Sequence, residues 1–112
     1  MPRDRGKLPP GALILEIHCW NQDEIKEFLI VAINQGAPLF NDGDHDGCYR
    51  VYDFAAKRIV WVSGHCPDRP ELVQAGKALQ AVLERPEAVP TTKEKAWALR
   101  RAFDTILEGQ ER

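Results

Sequence analysis

The sequence predicts a mainly α single domain, a four-helix bundle. Three observations predict it. Four stretches repeat apolar residues at i, i+3, i+4 and i+7, the period of one helix face. Two of them open on capping-box pairs, Asn21 with Glu24 and Thr91 with Glu94. The links between them are short and rich in Gly, Pro and Asp, as joins between antiparallel neighbours are.

Taken in order, residues 1–11 read as a flexible N-terminal tail, locally basic in MPRDRGK and punctuated by Pro9-Pro10-Gly11. Residues 12–109 read as the single helical domain. Its first segment, ALILEIHCW, is ambiguous between a short strand and a short buried helix, because apolar runs of this length fit both. As a strand it would pair with RIVWVS, which gives a short strand pair (12–19 with 58–63).

Asn21 then opens a helix whose stripe is Ile25, Phe28, Leu29, Ala32 and Ile33. Gly36 and Pro38 are expected to stop or kink it, since proline has no N–H and clashes with the carbonyl four residues back. A second helix is expected from Asp44 or His45 to about Val60, with Cys48, Val51, Tyr52, Ala55, Ile59 and Val62 in phase. HCPDRP is a loop, bracketed by prolines. Pro70 to about Arg85 carries Leu72, Ala75, Leu79, Val82 and Leu83 on one face. After the Val89-Pro90 link, a last helix carries Ala96, Leu99, Phe103, Ile106 and Leu107, with Trp97 at its edge and Gly109 at the C′ position.

The totals narrow the class. At 112 residues the chain fits one domain. Hydrophobic residues make up 44% and charged residues 29%, which excludes a disordered tail. A net charge of −2 gives no general pull toward nucleic acid. The longest apolar run, Ala12–Ile17, contains Glu16 and is far short of a membrane span, which takes about 20 residues. No signal peptide is visible, and three cysteines without a framework spacing suggest reduced thiols in a cytoplasmic setting.

Chemistry concentrates between Asn34 and Lys57, around DGDHDGCYRVYD. By letter pattern it resembles an EF-hand or dockerin-type loop. Asp42, Asp44 and Asp46 would give monodentate carboxylates, the Cys48 carbonyl a further oxygen, and Asp53 would close the calcium sphere. Against this, Asp53 is one methylene shorter than the usual bidentate Glu, Arg50 sets a cation at a cation site, and no second loop pairs with it. The same residues also suit a helical corner. Asp44 makes a good N-cap, Asp46 favours the positive end of the helix dipole, and Gly43 permits a tight turn.

The order Gly36, Leu39 or Phe40, Gly43-Asp44, Cys48, Tyr52 and Ala55 resembles a single tetratricopeptide-type hairpin. It also resembles a GAP-L-[YF]-N-x-G…C-Y-x-[IV]-Y-[ED] pattern of small, uncharacterised bacterial helical domains. That resemblance implies a helical corner and an adaptor or regulatory role, with no chemistry attached.

His18-Cys19, His45-x-x-Cys48 and His65-Cys66 form a set of soft ligands from which a zinc or redox site would be built. No C-x-x-C anchors such a site. The competing reading makes Cys19 and Cys48 buried structural residues, with His65 and Cys66 exposed in a loop. No nucleophile motif and no phosphate loop occurs, so catalysis is not expected.

The expectation is therefore a non-catalytic protein–protein interaction or adaptor module without cofactor, its partner a protein rather than nucleic acid or a membrane. Its contact residues are Tyr49, Arg50 and Trp61, beside the Asn34–Asp53 corner, because tyrosine, tryptophan and arginine dominate interface hot spots. A calcium protein built on Asp42, Asp44, Asp46 and Asp53 is the first alternative. A zinc or redox protein using the His/Cys pairs is the second.

Overall fold

Asn21 starts the first helix because its side chain does what a backbone N–H at a helix start requires. Its Oδ1 accepts from the Glu24 amide at 2.9 Å, while Glu24 Oε1 accepts from the Asn21 amide at 2.9 Å. The computed structural model describes residues 19–84 and 91–109. Within them run α1 (Gln22–Asn41), α2 (His45–Gly64), α3 (Pro70–Leu83) and α4 (Thr92–Gly109), a mainly α four-helix bundle.

Two expectations about the helices are corrected first. Residues 58–63 lie inside α2, so the strand pair (12–19 with 58–63) loses that half. Residues 12–18, the other half, lie outside the described residues, as do the 1–11 tail and the Val89-Pro90 link. The β-branched residues of RIVWVS prefer strands only weakly. Here burial of Ile59 and Val62 on the helical stripe outweighs that preference.

Pro38, the second correction, does not end α1, which continues to Asn41. Its missing N–H falls near the helix end, and its own carbonyl accepts from the Asp42 amide at 3.0 Å. The half-buried Leu39 and Phe40 also pack against the core, so the last turn is held from outside.

The chain then reverses in a Schellman closure. The Gly43 amide donates to the Phe40 carbonyl at 3.0 Å, and the Asp44 amide donates to Leu39 at 2.8 Å. Gly43 carries the turn at φ 90°, a conformation that a side chain makes costly. Asp44 then caps α2, its Oδ1 accepting from the Gly47 amide at 2.9 Å. After α2 the HCPDRP stretch is a turn, and Pro70 opens α3 where a missing N–H does no harm. Thr91 accepts from the Glu94 amide at 3.1 Å at the head of α4.

The core sits around α2, which packs against α1, α3 and α4 alike. Ile25 and Leu29 from α1, Ile59 from α2, Leu72 and Leu79 from α3 and Phe103 from α4 are all fully buried. Burying side chains of this size stabilises by roughly 1.5–3 kcal/mol each, which makes this shared core the main source of stability. Tyr52 joins it, its ring edge-on to Phe103 at 5.3 Å between centroids.

The equal lengths of α1 and α2 bring their outer ends together. Cys19, just before α1, meets Cys66, just after α2, and the two form a disulfide with Cα atoms 5.9 Å apart. Reduced thiols were expected at both positions, and Cys66 was expected to be exposed. It is buried instead. The ground for expecting a reducing compartment goes with that correction. Among the described residues, no helix is long and apolar enough to cross a membrane.

Candidate functional site

The acidic corner spends its carboxylates locally. Asp42 is the C-cap residue of α1, and Asp44 holds the start of α2. Asp46 accepts from the Thr92 hydroxyl, which ties the head of α2 to the head of α4. Asp53 pairs with Lys57 at 3.0 Å, one turn along the helix. The second half of the would-be calcium loop, from Cys48 to Asp53, is helical. Among the described residues, no three His, Cys, Asp or Glu side chains gather as a metal ion would need.

The His/Cys pairs separate in the same way. His18 lies outside the described residues. Cys19 and Cys66 are bonded to each other, and a disulfide sulfur is not a thiolate ligand. His45 packs its ring on Phe40 at 4.4 Å. His65 donates its Nδ1–H to the Trp61 carbonyl at 2.9 Å. Cys48 is a buried free thiol, as expected. Burial pushes its pKa up, so little thiolate is available for ligation or attack.

The three expected contact residues fall on different parts of α2. Tyr49 is half-buried under Lys95 of α4, whose ammonium stands 5.6 Å from the ring centroid. Arg50 and Trp61 are exposed, and they share a face. That face runs Arg50, Phe54, Lys57, Arg58, Trp61, at i, i+4, i+7, i+8 and i+11. Phe54 is 69% exposed, and the Arg58 guanidinium lies 5.2 Å from the Trp61 ring centroid.

Beside this stripe, α1 and α2 leave a shallow groove of about 460 Å³. Phe28, Val31 and Gln35 form its α1 wall, and Arg50, Val51 and Phe54 its α2 wall. Val31 is 52% exposed, so apolar surface continues across the groove from one helix to the other. Among the described residues, Arg50 and Arg58 have no carboxylate partner, in contrast to Lys57.

Sequence reasoning missed Phe54 and Val31. The signal was present: both are large apolar residues that fall outside the core stripe of their helix. It also missed a second, smaller cleft between the α1–α2 corner and α4, of about 100 Å³. Phe40, Trp97 and Ala96 line its sides, and Cys48, Tyr52 and Arg100 bring polar atoms to it. Burial raises the Tyr52 pKa, and hydrogen bonding to Arg100 offsets part of that rise. Arg100 Nε also donates to Asp104 at 3.2 Å.

Comparison with known protein families, with characterised proteins and with solved structures finds no match for this chain.

Proposed function

We propose that the protein is a non-catalytic interaction module whose α1–α2 face receives an acidic, amphipathic helical segment of a partner protein. The observation that carries this reading is the exposed stripe Arg50–Phe54–Lys57–Arg58–Trp61 beside the apolar groove. A groove between two long antiparallel helices suits a third helix laid along it, with apolar anchors at i, i+3 or i+4, and i+7. Phe54 and Val31 supply the apolar contact. Arg50 and Arg58, which have no carboxylate partner among the described residues, favour acidic residues on the flanks of the incoming helix.

A second copy of the chain fits less well. Two-fold pairing of this face would oppose Arg50 and Arg58 with the same cations, and like charges across an interface are repulsive.

Peptide display against the full chain tests the reading. Acidic sequences with helical apolar spacing should be enriched. Their binding should fall at least tenfold in Phe54→Ser and in the Arg50→Glu/Arg58→Glu double variant. All three positions are exposed, so the fold should survive. Selected peptides that bind the Phe54→Ser protein as tightly as the wild type would refute the assignment.

A further inference from the structure

The smaller cleft lies on another side of α2 and has a different chemistry from the α1–α2 groove. Its construction begins with Gly36. A β-carbon there would run into the Tyr52 ring, so the absence of a side chain lets that ring lie against the α1 backbone. Phe103 fixes the ring from the other helix, edge-on at 5.3 Å. Held this way, Tyr52 is 2% exposed and lines the cleft together with Arg100 and Cys48.

Arg100 is itself oriented. Its Nε donates to Asp104 Oδ1 at 3.2 Å, which fixes the plane of the guanidinium. A guanidinium has five N–H donors, so the contact of Nε with Asp104 leaves the donors at its terminal nitrogens. The rest of the lining includes apolar walls: Phe40 and Trp97 meet edge-to-face at 5.5 Å, and Ala96 lines the cleft with them. A mostly apolar cleft with a few convergent polar groups at one end is the usual form of a small-ligand site.

We propose that this cleft binds a short-chain carboxylate, its oxygens on Arg100 and the Tyr52 hydroxyl and its hydrocarbon between Phe40, Trp97 and Ala96. The planar fork of arginine matches a carboxylate in two parallel hydrogen bonds, a fit that an amide of the same shape lacks in charge and in acceptor symmetry. Size limits the body. A cavity of about 150 Å³ accommodates benzene, so a cleft of about 100 Å³ accepts roughly three to five carbons. The carboxylate can belong to a free acid or to the C-terminus of a peptide. The two sources present the same group to the site.

Backbone and side-chain NMR of the full chain at neutral pH tests this, with butyrate and butyramide as probes. Butyrate should shift the Trp97 indole and Arg100 Nε resonances saturably at millimolar concentration, with butyramide at least tenfold weaker. Arg100→Gln should lose binding tenfold or more, and Arg100→Lys should fall between. Arg69→Gln, exposed and distant in the chain, should bind as the wild type does. A hexapeptide with a free C-terminus, run beside its C-terminal amide, separates the two sources. Tighter binding of the free-ended peptide than of butyrate assigns a chain terminus, and binding of butyrate alone assigns a free acid. Absence of saturable shifts with both butyrate and the free-ended peptide, or equal binding of each acid and its amide by the wild type, would overturn the proposal. The acid–amide comparison needs no variant, so a misfolded Arg100→Gln protein would not blur the result.

Discussion

Tyr52 of α2 lies against Gly36 of α1 so closely that a β-carbon at position 36 would enter its ring. The contact joins the two arms of the hairpin beside the cleft that Tyr52 and Arg100 both line. Gly36→Ala should therefore destabilise, although alanine is the better helix former by about 0.5–1 kcal/mol. Overpacking of a buried ring costs typically 1–3 kcal/mol, so a net loss of roughly 1–2 kcal/mol is expected in urea unfolding. An unchanged midpoint would mean that the ring can move aside freely.

The corner should be sensitive at two adjacent residues for different reasons. Gly43→Ala places a side chain at φ 90° with open space around it, so its effect is conformational and about 1–2 kcal/mol. Asp44→Ala removes the acceptor for the Gly47 amide and should cost about 1 kcal/mol. Thermal unfolding of the two variants measures both. If Asp44 mainly held calcium, added calcium would raise the wild-type Tm, and no such rise is expected.

The Cys19–Cys66 bond closes the whole α1–α2 hairpin, across a sequence separation of 47 residues. Constraint of the unfolded chain by a loop of that size is worth typically about 2–4 kcal/mol. The Cys19→Ala/Cys66→Ala protein, and the wild type in reductant, should both unfold at lower denaturant. Equal midpoints with and without reductant would argue that the bond contributes nothing.

Alkaline pH should destabilise the fold from the inside. Burial raises the Cys48 thiol above its ordinary value near 9 and the Tyr52 phenol above its ordinary value near 10. Tyr49 is raised as well, first by burial and then by the Asp53 charge. Each group keeps its proton longer when folded than when unfolded. Stability is therefore full below about pH 9 and falls as pH rises past the unfolded values. Urea midpoints measured from pH 7 to 11 should decline in two stages, the first removed in Cys48→Ala. A flat profile would contradict the burial of these hydroxyl and thiol groups.

Much of this architecture was legible in the sequence. Asn21, Asp44 and Thr91 announced helix starts because capping is local chemistry, and the apolar stripes announced which faces turn inward. What escaped depends on long-range geometry. The odd number of cysteines suggested free thiols, yet Cys19 and Cys66 stand nearly equidistant from the Gly43 turn. An antiparallel hairpin with equal arms must bring them together. Pro38 read as a breaker because propensity ignores the packing that holds Leu39 and Phe40. The aspartates read as ligands by spacing alone. Once α2 starts at His45, Asp44 serves the Gly47 amide, Asp46 the Thr92 hydroxyl and Asp53 the Lys57 ammonium. Arg50 and Trp61 were chosen for their residue types, and Phe54, which lies between them on the same face, was overlooked.

Amide-shift mapping reads out whether the α1–α2 face is the proposed docking surface. An acidic amphipathic peptide from the display selection is titrated into the isotopically labelled full chain at two salt concentrations. Shifts should concentrate at Val31, Gln35, Arg50, Phe54 and Arg58, with affinity falling as salt rises because charged contacts are screened. Shifts concentrated instead on α3, with no salt dependence, would contradict it.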